Sequence, residues 1–597
     1  MAQYHVQKYL WHEKGQPFQQ AWHLTLTDNE SITFIAFITF LLGYTQRRAW
    51  KILCLIVNRV TRPIQLPDRG NPRGLQNLSQ TKALSTFLVQ SRYFLFGRKL
   101  SNATLPIALM PSISPWFGAI SVINLIAFLA LGTLVPWLLT QGLETPIVQS
   151  KYHNKCNSIG DIDKSLRQDA YRASNIYHRC WYNVSSPSDS CTRQDGILLE
   201  RPNMRVSRHS TCPFAKGICL KDVKSLQLEY LNLTVRTFGI NTEPKISYSR
   251  RLTCSPLELK HFIFQDSENI PWLVFSEDSK RRAKDGFTGY YFRQQLRSPD
   301  DQAPNRVSFD QLMRSGYEPS LRVWSSIGDE DPFLGPVLPI LQKLDADISI
   351  FAYNAGGTSY PEPIDDPIYS AHYPGNFTFP GYDPILHYYP DFEFTVLGCF
   401  EQHRFCTTRK NATCSKYSGS SQVIDGFEHQ LKVLGDKHAL DELELIAWIA
   451  ENVMNIHSFA SYIGGFSALL VQVIGFWKVD RLEQWVHDVE YWFEASVLLL
   501  RTRAFSLFTG EAGRPNIVKG KAAMQLLCQH ILFRSGDHTN FNFFGLITVF
   551  SGISLIVIVS YLEQSGLLLS WINERFVRRV QRGYLHYLLC LKRYAAR

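Results

Sequence analysis

The chain carries no G-x-S-x-G nucleophile elbow, Walker phosphate loop, dinucleotide-binding glycine fingerprint, HExxH zinc helix, kinase signature or FxxGxxxCxG haem loop. These are the short patterns whose spacing by itself implies a mechanism, so no reaction can be read from motifs here. The nearest approach, Asn354-Ala355-Gly356-Gly357, lacks the remaining glycine and the helix that a phosphate loop needs. The first thirty residues, with Trp11, Trp22, Asp28 and Glu30, lack the basic n-region of a cleaved signal peptide. Mean hydropathy is −0.13, too low for a transporter threaded through a bilayer many times. Most of the chain must fold in water.

What the sequence does have is a few isolated apolar runs. Pro115 to Leu139 holds no ionisable side chain, and Trp116 and Trp137 stand near its ends, where indole rings prefer a membrane interface. At about 1.5 Å of helical rise per residue it exceeds a hydrocarbon core of roughly 30 Å. Phe541 to Leu562 is a second run of this kind. Ile32 to Tyr44 is shorter, but Ser31 and Thr45 extend it and Arg47 can snorkel to the interface. A fourth uncharged stretch, Ser458 to Trp477, would put the basic C-terminal tail on the same side as the sequon-bearing domain if it crossed, so it is expected to be a buried, Gly-rich helical segment or membrane-contacting hairpin of the outer domain.

Charge is distributed unevenly. Between Arg47 and Lys99 there are eleven basic residues against Asp68 alone, which equals the formal net charge of +10 for the whole protein. A second basic cluster, Arg575, Arg578, Arg579, Arg582, Lys592, Arg593 and Arg597, follows the last apolar run. Basic patches can track nucleic acid, but both clusters flank apolar runs, where the positive-inside rule expects them; no nucleic-acid partner is expected. Ala49 to Val60 reads either as an amphipathic helix on the inner leaflet or as an extension of the first span. The tail reads as an inner-leaflet helix in which Cys590 is a site for palmitoylation.

Nine of the twelve cysteines, Cys156, Cys180, Cys191, Cys212, Cys219, Cys254, Cys399, Cys406 and Cys414, fall within residues 141–424. The N-x-[ST] triplets at Asn183, Asn232, Asn376 and Asn411 share that interval. Their coincidence points to an oxidising lumenal or extracellular compartment. The triplets at Asn77 and Asn102 lie in the basic loop and are expected to stay unmodified. An odd set of nine leaves at least one cysteine over, and pairing cannot be deduced. A metal site of Cys399, Cys406 and Cys414 with His403 is the sharper alternative, but its spacings do not match the close pairs of structural zinc sites.

Ser225 to Ile240, Trp272 to Ser276, Ile348 to Asn354 and Phe392 to Phe400 have strand character. Thr358 to Asp391, dense in Pro, Gly and Tyr, reads as ordered loop. From about Asp425 the pattern is helical, with Leu482, Trp485, Val486, Val489, Trp492, Phe493 and Val497 forming one apolar stripe.

The best constellation for chemistry is Tyr360 to His372, where Glu362, Asp365, Asp366 and His372 are close in sequence. Carboxylates with a histidine can serve acid–base hydrolysis or hold a divalent ion, although turn and capping chemistry is the plainer use of Asp before Pro. A second acidic cluster, Asp329, Glu330 and Asp331, reads as a solvated turn.

The segments RRAWKIL, LPD at Leu66, LETPIV at Leu143, CPF at Cys212, RLTCSP at Arg251, PIDDPIYSAH at Pro363 and VLGCFEQHRFC at Val396 resemble recurring elements of a large group of uncharacterised multi-pass membrane proteins from filamentous fungi. The resemblance runs along most of the chain and implies a shared architecture without an activity.

The expected architecture is an integral membrane protein with about three transmembrane helices and a large α+β, disulfide-bonded extracytoplasmic domain. Its segments are an outer N-terminus (1–30), a first span (31–46), a basic cytoplasmic loop (47–112) and a second span (113–140). A Cys-rich glycosylated region (141–424), a helical region (425–540), a third span (541–562) and a cytoplasmic tail (563–597) follow. The expected location is the plasma membrane or a secretory-pathway membrane. The partners expected are the lipid bilayer and an outer ligand or protein, with no cofactor and no metal. The alternative is a membrane-tethered hydrolase or metabolite-modifying enzyme using Asp365, Asp366 and His372.

Overall fold

The computed structural model describes residues 6–61, 115–140, 147–151, 162–182, 201–265, 271–273, 320–326, 338–355, 359–377, 385–392, 394–409, 412–450, 453–463, 472–473, 476–477, 483–509 and 521–564. Asn77, Asn102, Cys156, Asn183, Cys191, the 329–331 acidic cluster, Asn411 and the basic tail lie outside these residues. The chain divides into two units, one made of residues 1–7 and 147–534, the other of residues 8–146 and 535–597.

The second unit is built on three helices, Asp28–Thr61, Pro115–Thr140 and Phe543–Gln564. The first begins where Glu30 reaches back to accept the Thr27 backbone N–H at 2.9 Å, which satisfies one of the donors a helix start leaves orphaned. It then runs unbroken for 34 residues, so Ile32 to Tyr44 and Ala49 to Val60 belong to one helix rather than a span followed by a separate surface helix. Ile38, Leu42, Val135, Leu139, Leu546 and Ile553 form the seam between the three helices. Gly545 is needed there: a Cβ at that position would come within 2.8 Å of Leu139 Cδ2. Two of the helices, over Ala119–Thr140 and Phe543–Leu562, are long and apolar enough to cross a membrane. A three-stranded sheet that periodicity did not announce joins Tyr9–His12, Trp22–Thr27 and His538–Asn542, closing the unit across more than 500 residues of chain.

The first unit centres on an antiparallel six-stranded sheet in the order Met204–His209, Ser225–Leu233, Ile246–Leu257, Phe394–Thr407, Asp347–Asn354 and Ser320–Ser326. Side chains alternate across it with the two-residue period of a strand. Ile348, Ile350, Ala352, Phe394 and Val396 face one core, with Ile218, Leu338 and Leu341. Phe351, Tyr353, Leu397, Cys399 and Phe405 face the other, against the helices.

The central helix, Gln484–Thr509, lies on that second face, where Trp492 stacks on Phe351 with centroids 4.6 Å apart and Phe493 stacks on Tyr230 at 4.9 Å. The apolar stripe read from the sequence is here, but the helix is buried on every side and not on one face only. Helices Ile162–Ile176 and Ile456–Ile463 pack over it. Its charged residues are buried with partners: Asp488 accepts the Tyr369 hydroxyl at 2.6 Å, Glu494 takes a bidentate bond from Arg201, and Arg503 donates to Ser165 at 2.9 Å. Residues on both sides of position 424 thus pack into the same core. Strands and helices form one α+β core.

Two further expectations change. Within Thr358 to Asp391 the chain forms a hairpin of Ala371–Phe377 and Ile385–Pro390, in which Tyr373 stands opposite Tyr389 and Phe377 opposite Ile385. Ser458 to Trp477 is not one helix: the helix ends at Ile463, and Gln472–Val473 pairs with Phe476–Trp477.

Disulfides join Cys212 to Cys219, Cys254 to Cys399 and Cys406 to Cys414, and Cys180 and Cys528 are disulfide-bonded as well. Cys399 is thus paired across the sheet to a strand 145 residues earlier, not within its local cluster, which removes the metal reading of Cys399, Cys406 and Cys414. Cys528, in the helix Lys521–His530, is bonded too although it lies outside residues 141–424, so the odd count within that interval does not by itself leave a cysteine over.

Candidate functional site

Reciprocal backbone bonds between Ile364 and Ala371, both 3.0 Å, close a loop that carries Asp365 to Ser370 and sets His372 at its exit. Asp365 and Asp366, adjacent in sequence, go separate ways. Asp366 is buried: one carboxylate oxygen accepts the N–H groups of Ile368 at 2.8 Å and Tyr369 at 3.2 Å, and the other accepts Trp485 N–H at 3.1 Å. It thereby caps the start of the central helix from 119 residues away. Burial pushes its carboxyl up to about 6, the three N–H groups oppose that shift, and the nearby Asp488 adds to it.

Asp365 instead meets His372. The His372 ring places Nε2 2.9 Å from Asp365 Oδ1 and Nδ1 2.7 Å from Asp391 Oδ2, while its backbone N–H donates to Asp391 Oδ1 at 2.8 Å. The Ser370 hydroxyl donates to Asp391 as well. Two carboxylates facing both ring nitrogens call for two N–H donors, which is the imidazolium form. Accordingly the His372 pKa is raised, by Asp391 first and Asp365 second. The Asp391 carboxyl lies below its ordinary range: burial works against this, and the bonds from Ser370 and His372 outweigh it. Glu362 is exposed and joins neither carboxylate's contacts.

The signs are opposite for the two partners. A histidine pKa raised on folding stabilises fully below its unfolded value, about 6.5, and that stabilisation is lost as pH rises through the folded value. The depressed Asp391 contributes fully above about 3.9 and loses its contribution as pH falls through its lower folded value. The clamp is therefore strongest in mildly acidic solution. An NMR titration of the His372 ring is expected to give a midpoint above 6.5, and Asp391→Asn should lower it more than Asp365→Asn, because the Asp365 side chain is 89% exposed and screened by water. A wild-type midpoint at or below about 6.5 would rule the clamp out.

Chemically, a clamped imidazolium can donate a proton, but it has no lone pair with which to accept one or to bind a metal. Ser370 points at Asp391 and not at the imidazole, so it lacks the base that would make it a nucleophile. Among the described residues no group of three or more His, Cys, Asp or Glu side chains is placed to hold a metal ion.

A second constellation was invisible in the sequence. On the helix-facing side of the sheet, buried Arg250 pairs with Glu401 and donates to Ser496 at 2.6 Å. Glu401 also accepts Ile456 N–H at 3.0 Å. Next to them His403 bonds Tyr248 at 2.7 Å and Asn455 at 2.8 Å, and Asn455 donates to Asp347 at 3.1 Å. Asp347 caps the helix Ser420–Leu434 through Ser420 N–H at 2.8 Å. The ionisable members are at most 1% exposed, out of reach of any substrate, so this network fixes helices to sheet.

Of the glycosylation candidates, Asn232 and Asn376 are exposed, Asn232 at a strand irregularity with φ of 58°, a conformation asparagine tolerates better than most residues.

The two units together define a protein with a bundle of three long helices, two of them of membrane-crossing length and apolarity, and a disulfide-bonded α+β unit inserted between the second and third helices. Compared with known protein families, curated proteins and solved structures, the chain matches none.

Proposed function

We propose that this chain is an integral membrane protein that presents its disulfide-bonded α+β unit on the extracytoplasmic side, where it binds a ligand or partner without catalysing a reaction. The observation that carries the reading is the partition of surface and cysteine chemistry between the units. The bundle helices turn Phe40, Ile123, Leu129, Leu134 and Leu555 outward, each at least half exposed, which water disfavours and lipid accepts. Among the described residues the bonded cysteines belong to the other unit, whereas Cys54, in the basic half of the first helix, is free. Such a split matches an oxidising compartment on one side and a reducing one on the other.

The rival reading, a membrane-tethered hydrolase, loses Asp366 to helix capping. It keeps one point in its favour, a His372 held in the protonated form that a general acid needs.

The test is a gel shift on N-glycosidase treatment. The wild type is expected to shift, and Asn232→Gln and Asn376→Gln should each reduce the shift; a shift that depends on Asn77 or Asn102 would invert the topology. For the absence of catalysis, turnover by the purified protein that disappears in Asp365→Ala or Asp391→Asn would favour the hydrolase.

A further inference from the structure

The basic end of the bundle carries a more specific feature than positive charge. Tyr44, on the helix Asp28–Thr61, and Tyr561, on the helix Phe543–Gln564, bring their hydroxyl oxygens within 3.3 Å of each other. Between them sits Arg48: Nε and Nη2 donate to the Tyr44 hydroxyl at 3.1 and 2.7 Å, and Nη2 also donates to Tyr561 at 3.0 Å. The guanidinium lies over both rings, 5.1 Å from the Tyr44 centroid and 4.5 Å from that of Tyr561. Nη1 bonds neither tyrosine.

These residues mark a depth. Tyr44 ends the apolar run that starts at Ile32, and Tyr561 stands one residue before the end of the run from Phe541 to Leu562. Their contact brings two apolar boundaries to one level, which is where a bilayer would pass from hydrocarbon to headgroups. Both tyrosines are open to the surroundings, Tyr44 36% and Tyr561 50% exposed. On the same helix Arg47 and Lys51 are exposed, and Tyr44, Arg48 and Lys51 follow at four- and three-residue intervals on one face. Among the described residues none of Arg47, Arg48 and Lys51 meets a carboxylate. The site therefore offers three positive charges, a guanidinium edge with unused N–H groups and a hydroxyl proton that the tyrosine pair does not consume.

Resting on the membrane reading above, we propose that Arg47, Arg48 and Lys51, with the hydroxyls of Tyr44 and Tyr561, form a headgroup site for an anionic phospholipid at the basic face of the bilayer. A phosphodiester supplies the acceptor oxygens that Arg48 and the tyrosine hydroxyl can donate to, and a net negative headgroup balances the remaining charge. The tyrosine rings hold the guanidinium in place before lipid arrives, so less ordering is needed on binding.

The experiment uses the full chain in mixed micelles and reads its thermal unfolding midpoint against added lipid. Phosphatidylserine is expected to raise the midpoint and phosphatidylcholine is not. Neutralising Arg47, Arg48 and Lys51 to Gln should raise the phosphatidylserine concentration needed for half of the shift by about fivefold per charge removed. Tyr561→Phe, which keeps the ring, and Arg48→Lys, which loses the planar fork, each remove hydrogen bonds present without lipid, so the phosphatidylserine-induced shift of each variant is measured against its own lipid-free midpoint and should be smaller than that of the wild type. Equal responses to the two lipids, an undiminished response in the triple variant, or an equal shift from inorganic phosphate would each overturn the proposal. Alkaline carbonate extraction separates this from the reading beneath it: release of the chain from membranes overturns both, while retention with no phosphatidylserine effect overturns the lipid site alone.

Discussion

Glu401→Ala is expected to destabilise the α+β unit by about 3–5 kcal/mol, the cost of leaving a buried partner charge without its counter-ion. Arg250 and Glu401 are 0% and 1% exposed, so water cannot take over the lost contact. The Ile456 N–H at the start of the helix Ile456–Ile463 would lose its acceptor at the same time. Arg251→Ala provides the internal comparison. It stands next to Arg250 in the same strand but on the opposite face, with its side chain 33% exposed, and pairs with Glu229 at 2.9 Å. Its loss should cost at most about 1 kcal/mol. Denaturant unfolding followed by tryptophan fluorescence reads both, since Trp485 and Trp492 are buried in this core. Equal costs for the two variants would mean that the buried pair does not hold the helices to the sheet.

Replacing Cys254 and Cys399 together by alanine is expected to cost about 5 kcal/mol in the chain-entropy account of disulfides, against about 2.5 kcal/mol for the Cys212 and Cys219 pair. The difference comes from loop length: the sequence separation is 145 residues in the first case and 7 in the second. The longer bridge also joins neighbouring strands at a directly opposed position, Cys254 against Cys399, so its loss leaves two buried thiol-sized gaps in the sheet. The measured quantity is the unfolding midpoint of each double variant under non-reducing conditions. A smaller effect for Cys254 and Cys399 than for Cys212 and Cys219 would show that loop closure is not what the long bridge contributes.

Adjacent residues with opposite fates mark how far the sequence could be read. Asp365 and His372 were legible as neighbours because the loop between them is short and closed on itself by the Ile364 and Ala371 backbones. Asp391 was not, since it is 19 residues from His372 and returns only through the hairpin register that sets Ala371 opposite Pro390. Asp366 looked equivalent to Asp365 until the start of the central helix supplied Trp485 N–H as its partner. Arg250 and Arg251 differ in the same way, by which face of the strand each one occupies.

The amino-acid sequence alone determined the apolar runs, helices after Asp425, three of the six strands of the main sheet and the one-sided placement of basic residues and cysteines, because these depend on composition and local periodicity. Tertiary structure decided that the helix Gln484–Thr509 is wrapped on all sides, that Cys254 bonds Cys399, and that Trp22–Thr27 pairs with His538–Asn542. Each of those outcomes rests on partners tens to hundreds of residues away. Their registry is set by packing and strand pairing, and no local pattern encodes it.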